Sequence, residues 1–252
     1  MKSLRVRRRR LLKKPLSFKQ IAPNMVTSGN LLCGLFSLML AIDGRFVPAA
    51  WLVFFAVVFD GLDGKVARTL GGGSQFGLEY DSLADLVSFG VAPGMLLYLV
   101  ALRGQLGMWG VSASCFFVLC VALRLARFNV VHVPGPFQGL PSPAGGLFVA
   151  SFVLADVPMT PIPVSLLLLG TGLLMISSVP YANLKKLTKK SADHKRCAAL
   201  LGFLSLTGFF FRSAAPLALF SLYIVSGLLR LDWSEWLLRR NELEEAPVST
   251  RV

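Results

Sequence analysis

The sequence predicts an all-α integral membrane protein, and three features indicate this fold class. Of its 252 residues, 54% are hydrophobic and only 15% are charged. The mean hydropathy is +0.65, well above that of soluble globular proteins. The apolar residues also fall in long runs, of the length that a helix needs to cross the hydrocarbon core. One helical membrane domain accounts for all three features.

Eight apolar runs predict about eight transmembrane helices. They cover residues 25–42, 48–66, 78–101, 108–130, 141–157, 162–182, 196–211 and 214–230. The fifth run is the least regular because Pro141 and Pro143 stand at its start, but membrane helices tolerate proline where neighbouring groups satisfy the freed backbone. The chain therefore divides into an N-terminal segment 1–24, a transmembrane domain 25–230 and a C-terminal segment 231–252.

The two flanking segments are predicted to lie at the membrane surface. The first contains LRVRRRRLLKKPLSFKQ, a basic stretch that suits anionic headgroups, although an ordinary solvated tail fits equally well. In the last, Trp233 and Trp236 share one side of a predicted interfacial helix. The first 24 residues lack the apolar core and cleavage site of a signal peptide, so no cleavage is expected there.

The basic residues predict the orientation in the membrane. The formal net charge is +13, but no zinc-ligand spacing or nucleic-acid-binding pattern accompanies it, so the expected partners are anionic membrane lipids and no nucleic acid. With the N-terminus inside, 23 of the 26 Lys and Arg residues fall on the inner side, and only Arg45, Arg103 and Arg212 fall outside. Both termini are therefore predicted to be cytoplasmic.

Four aspartates stand inside or beside apolar sequence, where a charge is costly. Asp60 and Asp63 are three residues apart near the inner end of the second run, and Asp81 and Asp85 are four apart at the start of the third. Each pair shares a helix face, and a Gly-rich turn should bring the two helices back antiparallel. The carboxylates can then converge at the cytoplasmic membrane interface, where they suit a hard divalent cation such as Mg²⁺ or Mn²⁺.

The residues around the aspartates indicate a ligand that carries phosphate. Gly64, Lys65, Arg68 and Gly77 lie beside the acids. Arg offers a planar fork for phosphate oxygens, and glycine lets backbone N–H groups approach them. With a bound cation these groups describe a diphosphate site, and the expected chemistry is metal-assisted displacement at phosphorus. Helix-terminal acids satisfied by water and neighbouring cations are the structural alternative, and the intramembrane position of the charges argues against it.

Two other functional classes compete with an enzyme. A divalent-cation channel or carrier would spread its acids through the membrane thickness, whereas these acids cluster at one face. A non-catalytic scaffold would leave four converging carboxylates without a purpose. The clustering therefore favours an enzyme.

The spacing of these residues resembles the complete signature of the CDP-alcohol phosphatidyltransferase family. In this chain it reads Asp60-x-x-Asp63-Gly64-x-x-Ala67-Arg68, then eight residues, then Gly77-x-x-x-Asp81-x-x-x-Asp85. The resemblance implies a six-helix core that holds the catalytic site, with two further C-terminal helices, in a homodimer. It also implies two divalent ions at the aspartates. The expected location is the cytoplasmic membrane, with the active site at its cytoplasmic face.

The resemblance also implies roles for individual residues. Asp60, Asp63 and Asp81 would be metal ligands, and Asp85 would be both a ligand and the general base for the attacking alcohol. The expected CDP-diacylglycerol contacts are Pro23, Asn24, Thr27, Gly64, Arg68, Ser74 and Gly77. For Asn24 and Thr27, capping of the first helix is a comparably good interpretation.

Sequence outside the signature suggests the acceptor alcohol. The stretches SFGVAPG, ALRLARFNV, QGLPSPAG and SSVPYANLKK resemble the phosphatidylserine synthase branch of the family, which implies L-serine as the acceptor. Arg124 and Arg127 are candidate ligands for the serine carboxylate, since Arg binds carboxylates bidentately. Pairing of these arginines with Asp81 or Asp85 is one alternative, and a snorkelling position at the helix end is the other. A sibling enzyme that uses glycerol 3-phosphate or inositol phosphate is the nearest competing function.

Overall fold

The computed structural model describes residues 18–70, 74–130, 139–181 and 212–229. Within these ranges the predicted all-α fold is confirmed. The helices are α1 (Phe18–Ile42), α2 (Phe46–Thr69), α3 (Gln75–Leu102), α4 (Met108–Val130), α5 (Ser142–Leu154), α6 (Pro161–Ile176) and α7 (Ala215–Leu228). A 3₁₀ turn, Arg212–Ala214, precedes α7.

Four of these helices are long and apolar enough to cross a membrane. They are α1 from Ala22 onward, α2, α3 and α4. Their ends agree with the first four predicted runs to within three residues. The described part of the chain is therefore that of a multi-pass membrane protein with four candidate spans.

The other described helices are shorter than the runs that predicted them. α5, α6 and α7 have 13, 16 and 14 residues. The chain turns soon after the end of α5, where Asp156 has a φ of 51°. After α6 the chain becomes extended, and the Val179 carbonyl accepts a hydrogen bond from the Gly139 backbone N–H. The predicted seventh run, 196–211, lies outside the described residues, as do 1–17 and 230–252.

α3 is the central helix and packs against α1, α2, α4, α5 and α6. The large side chains without exposed surface include Phe89, Leu96, Leu97 and Leu102 of α3, together with Phe117 of α4. Burial of these apolar side chains on several sides of one helix fixes its position in the bundle. Groups carried by α3 are therefore held rigidly relative to its neighbours.

α3 contains a π-helical turn directly after Asp85. The segment Leu86–Val91 is π-helical and lies between regular α-helical segments. Pro93 follows this turn and lacks the N–H that a regular helix would use there. The Ala92 N–H instead bonds the Val87 carbonyl, five residues back. Such widened turns are frequent at functional sites.

Two glycines bring neighbouring helices into direct contact with α3. A Cβ on Gly34 of α1 would lie 2.9 Å from the Cα of Ser88, and one on Gly146 of α5 would lie 2.7 Å from the backbone oxygen of Phe89. No real Cβ fits at these distances, so both positions require glycine. Small residues allow this close packing between membrane helices. α1 is thereby fixed beside the turn of α3 that follows Asp85.

The outer faces of the long helices are apolar. Leu32, Phe36 and Met39 are exposed along α1, and Leu119 and Leu123 are exposed along α4. Spacings of three and four residues place each set on one stripe of its helix. A continuous apolar exterior of this kind suits contact with lipid rather than with water.

Candidate active site

Three carboxylates meet where the end of α2 approaches the start of α3. Asp60 and Asp63 lie one turn apart near the C-terminal end of α2, and Asp81 lies in the second turn of α3. One oxygen of each carboxylate lies within 4.8 Å of the other two. Asp63 is buried, and Asp60 and Asp81 are half-buried. These three residues are called the acidic trio below.

The donor set of the acidic trio fits a divalent metal ion. Carboxylate oxygens are the ligands that hard cations such as Mg²⁺ and Mn²⁺ prefer. The Asp63 side chain also lies within hydrogen-bonding distance of Asp81, and two carboxylates this close need a proton or a cation between them. Without such compensation, the negative charges would repel one another strongly in the low dielectric of a membrane. The trio could therefore hold a metal ion.

Thr27 of α1 orients Asp63 within the trio. Its Oγ1 donates to Asp63 Oδ2 at 2.9 Å and also lies 3.2 Å from the Pro23 carbonyl oxygen, one turn back. The Gly64 backbone N–H donates a further hydrogen bond to Asp63. Thr27 and Pro23 are both buried. The structure thus places Thr27 against the acidic trio from the α1 side, with Pro23 one turn earlier on the same helix.

Asp85 lies one turn beyond Asp81 and adjacent to the trio. Only 8% of Asp85 is exposed, and its Oδ1 accepts a hydrogen bond of 2.9 Å from Asn30 Nδ2. It is close enough to experience the negative charges of Asp60, Asp63 and Asp81. The structure therefore brings all four predicted aspartates to one region, with three in a tight group and the fourth beside them.

The start of α3 brings together three of the predicted donor-substrate contacts. Ser74 is the N-cap of α3, and its Oγ accepts a hydrogen bond of 3.0 Å from the Gly77 N–H. A Cβ on Gly77 would lie 3.1 Å from Asn24 Oδ1 and 3.3 Å from Ser74 Oγ. Asn24 of α1 is therefore a neighbour of both residues.

The two predicted contacts on α2 lie on its last turns. Arg68 and Gly64 are exposed, and Arg68 Nε donates to the Gly64 carbonyl oxygen at 2.9 Å. This bond holds the guanidinium along the helix surface near the end of α2, which is Thr69. All the predicted donor contacts therefore lie at the same end of the bundle as the acidic trio.

Contacts that the sequence did not reveal join the helices around the site. Ser28 Oγ and Tyr80 OH are 2.9 Å apart and link α1 to α3. Asn129 Nδ2 of α4 donates to Ser82 Oγ at 3.0 Å and to Glu79 Oε2 at 3.2 Å. These partners lie 47 to 52 positions apart, so no local spacing rule could have paired them.

The two predicted serine ligands differ in their surroundings. Arg124 of α4 is half-buried, and its Nη1 donates a hydrogen bond to Ser142 Oγ at the start of α5. The positive charge of Arg124 is close enough to interact with Asp85 and with the Tyr223 hydroxyl of α7. Arg127 is exposed. Arg124 therefore lies among the groups that surround Asp85, and Arg127 lies on the surface.

Known proteins with similar sequences share this region of the chain. Residues 20–192 match the sequence model described as CDP-alcohol phosphatidyltransferase. The chain is 37% identical over 226 residues to the CDP-diacylglycerol–serine O-phosphatidyltransferase of Helicobacter pylori strain J99, across 86% of this chain and 93% of that protein. It is 38% identical over 162 residues to the archaetidylserine synthase of Methanothermobacter thermautotrophicus, across 63% of this chain and 68% of that protein. The crystal structure of Mycobacterium tuberculosis phosphatidylinositol phosphate synthase with CDP-DAG bound aligns with a TM-score of 0.48 at 25% identity, across 67% of this chain and 85% of that chain.

Proposed function

Because the chain belongs to the CDP-alcohol phosphatidyltransferase family, we propose that it transfers the phosphatidyl group of CDP-diacylglycerol to L-serine, giving phosphatidylserine and CMP. One observation carries the choice of serine. The chain is 37% identical to a CDP-diacylglycerol–serine O-phosphatidyltransferase, and the match spans 86% of this chain and 93% of that protein. The archaeal relative is named archaetidylserine synthase, a name that also specifies serine.

The acidic trio is assigned to the diphosphate of CDP-diacylglycerol. Asp60, Asp63 and Asp81 would hold Mg²⁺ or Mn²⁺, with Asp85 as a further ligand if two ions bind. When bound, such an ion supplies positive charge that neutralises phosphate and polarises a phosphoryl oxygen. The tight grouping of hard oxygen donors in a membrane protein supports this assignment.

The polar groups at the start of α3 and the end of α2 are assigned to the CDP moiety. Asn24, Ser74 and Gly77 are neighbours and offer amide, hydroxyl and backbone groups at one position. Arg68 supplies a cation for a phosphate oxygen, and the exposed Gly64 lets a ligand approach the backbone. Their location beside the acidic trio supports the assignment of both groups to one substrate molecule.

Asp85 is assigned as the general base of the transfer. The serine hydroxyl oxygen attacks the lipid-side phosphorus and forms a new P–O bond, while Asp85 accepts the hydroxyl proton. The bond between that phosphorus and the bridging oxygen breaks, and CMP leaves with the bonding electrons. Because Asp85 is only 8% exposed, bulk water has little access to the base, which favours transfer to serine over hydrolysis.

Arg124 is assigned to the carboxylate of the acceptor. It is half-buried, it lies near Asp85, and Ser142 holds its Nη1. A guanidinium at this position can bind the serine carboxylate bidentately while the serine hydroxyl reaches Asp85. Arg127, three residues further along α4, is exposed and is a weaker candidate.

The proposal places the site at the cytoplasmic face of the cell membrane. Lys65, Arg68 and Arg124 lie at the same end of the bundle as the aspartates, whereas Arg45 and Arg103 stand at the turns on the opposite side. Positive residues prefer the cytoplasmic side. The proposal also includes eight transmembrane spans, both termini on the cytoplasmic side and a homodimer.

A panel of acceptors tests the proposed function. Purified protein would be supplied with CDP-diacylglycerol, Mg²⁺ and either L-serine, glycerol 3-phosphate or inositol phosphate, and CMP release would be measured. The proposal predicts release that depends on serine. Release with a phosphate-bearing acceptor in place of serine would indicate a sibling enzyme, and no release with any acceptor would contradict the family activity in this chain.

A further inference from the structure

Asn30 of α1 is a buried amide whose donor group is directed at Asp85. It has no exposed surface, and its Nδ2 donates a hydrogen bond of 2.9 Å to Asp85 Oδ1, 55 positions along the chain. Its other polar atom, Oδ1, is buried and has no hydrogen-bond partner among the described residues. The Nδ2 of the amide is therefore bonded to an aspartate, and its Oδ1 has no partner in the part of the chain that the structure describes.

This arrangement is unfavourable for the stability of the fold alone. A buried acceptor that has lost its water without gaining a partner destabilises the folded state. An apolar side chain of similar size, such as leucine, would remove the buried acceptor but would also remove the donor to Asp85. The advantage of an amide at position 30 therefore lies in its hydrogen bond to Asp85.

The packing around Asn30 holds the amide in a fixed place. Ser88 Oγ, from the turn of α3 that follows Asp85, donates to the backbone carbonyl oxygen of Asn30 at 2.8 Å. One turn further along α1, a Cβ on Gly34 would lie 2.6 Å from the same Ser88 Oγ. α1 and α3 are thus in direct contact beside the Asn30–Asp85 hydrogen bond, and neither helix can slide without breaking it.

We propose that Asn30 is a positioning residue that occupies Oδ1 of Asp85 and leaves Oδ2 to accept the proton of the acceptor hydroxyl. The inference rests on the proposed function, in which Asp85 is the general base. The two oxygens of a free carboxylate are equivalent, and engaging one of them sets the direction in which the other points. Thr27, one turn earlier on α1, gives Asp63 a similar hydrogen bond, so α1 orients one carboxylate inside the acidic trio and one beside it.

The position of Asn30 predicts which kinetic constant depends on it. Its hydrogen bond goes to Asp85, which stands beside the acidic trio that is assigned to the diphosphate. Loss of the amide should therefore slow the chemical step and leave the binding of CDP-diacylglycerol unchanged. A residue with a purely structural role would alter stability and substrate binding together.

The test compares Asn30→Leu with a matched variant of the same helix. In the full-length protein with CDP-diacylglycerol, L-serine and Mg²⁺, we expect Asn30→Leu to lower kcat by about 10²-fold. We expect its KM for CDP-diacylglycerol to stay within about twofold of wild type. Its Tm should stay near that of wild type, because removal of an acceptor that has no partner among the described residues offsets the lost hydrogen bond to Asp85.

Ser37→Ala is the matched control. Ser37 also has no exposed surface, and its Oγ donates across helices to the Ala49 carbonyl oxygen at 2.8 Å. The variant therefore loses a buried hydrogen bond between helices that does not involve an aspartate. It should lower Tm and leave kcat at the wild-type value.

A wild-type kcat in Asn30→Leu would overturn the inference. A lower kcat together with a lower Tm and a higher KM for CDP-diacylglycerol would overturn it as well. If the leucine variant does not fold, Asn30→Ala removes the same amide and is judged by the same two outcomes. If the wild-type enzyme is active and the Asn30 variant has the same kcat, the inference is overturned and the proposed function stands. A wild-type protein without activity toward any acceptor overturns the proposed function together with it.

Discussion

Thr27 and Asp63 are joined by a hydrogen bond of 2.9 Å from Oγ1 to Oδ2, although they lie 36 positions apart on α1 and α2. The carboxylate that Thr27 holds is the buried member of the acidic trio. A partner of this kind sets the direction in which a metal ligand presents its oxygens. α1 therefore contributes to the site by orienting carboxylates that other helices carry.

Thr27→Val keeps the shape of the side chain and removes this donor. We expect the Mg²⁺ concentration for half-maximal CMP release to rise about 10–100-fold, because Asp63 loses its fixed orientation. The measurement is a Mg²⁺ titration after removal of metal with EDTA, a treatment that should itself abolish wild-type activity. Thr69→Val is the matched control, since Thr69 is exposed and bonds the Val66 carbonyl within α2. An unchanged Mg²⁺ dependence in Thr27→Val would contradict the role given to Thr27.

Asp85→Asn and Asp60→Asn should have different effects. We expect Asp85→Asn to lower kcat by about 10²–10⁴-fold, the typical contribution of a general base, while CDP-diacylglycerol still binds. Asp60→Asn should weaken donor binding as well, because Asp60 belongs to the acidic trio. Equilibrium binding of CDP-diacylglycerol, measured beside CMP release, separates the two variants. Near-normal turnover in Asp85→Asn would place the base elsewhere.

The two arginines of α4 should differ in their effect on the acceptor. Arg124→Gln is expected to raise the KM for serine at least about tenfold, as expected for the loss of a hydrogen bond to a charged group. Arg127→Gln is the control, because Arg127 is exposed on the same helix and should leave this KM near wild type. The Tm of both variants checks that the contact between Arg124 and Ser142 is not needed for folding. Equal effects of the two substitutions on serine KM would argue against Arg124 as the acceptor ligand.

The topology can be tested with single cysteines in a variant that lacks the native ones. Gln105 lies exposed in the turn between α3 and α4, which is predicted to face outward. Lys190 lies outside the described residues, in a basic segment predicted to be cytoplasmic. In intact cells an impermeant thiol reagent should label Gln105→Cys and leave Lys190→Cys unlabelled. The reverse pattern would overturn the orientation.

The acidic trio could be predicted from sequence because its signal is local. Spacings of three and four residues place each pair of aspartates on one helix face, and a short turn returns the second helix to the first. The structure brings one carboxylate oxygen each of Asp60, Asp63 and Asp81 within 4.8 Å of the other two, as this reasoning requires. The same reasoning predicts that Asp85 joins this region, but it does not show that Asp85 lies beside the trio rather than within it, because a shared face does not say how far along the helix the partners meet.

Other features depend on helix rotation and on contacts between distant segments. Asn30 is one more polar residue in an apolar run, and nothing in the sequence indicates that it meets Asp85, 55 positions away. Arg124 and Arg127 are both candidate serine ligands by sequence, but residues three apart differ by about 60° around a helix. That rotation is enough to leave one half-buried and the other exposed.

Hydropathy located the apolar runs better than it located the ends of the helices. The fifth run includes residues beyond Leu154 that are apolar but do not continue α5, since Asp156 has a positive φ. The sixth run likewise continues past Ile176, where the chain becomes extended and pairs with Gly139. Composition marks what can be buried in a membrane, whereas the end of a helix depends on turn geometry and tertiary hydrogen bonds.

Transfer of the phosphatidyl group to serine is the central claim, and the fate of labelled serine tests it most directly. Purified protein would be incubated with CDP-diacylglycerol, Mg²⁺ and radiolabelled L-serine, and the label in the lipid extract would be compared with the CMP released. We expect label to enter a lipid with the mass of phosphatidylserine, in an amount equal to CMP, and to be lost in Asp85→Asn. CMP release without label in the lipid would contradict the claim.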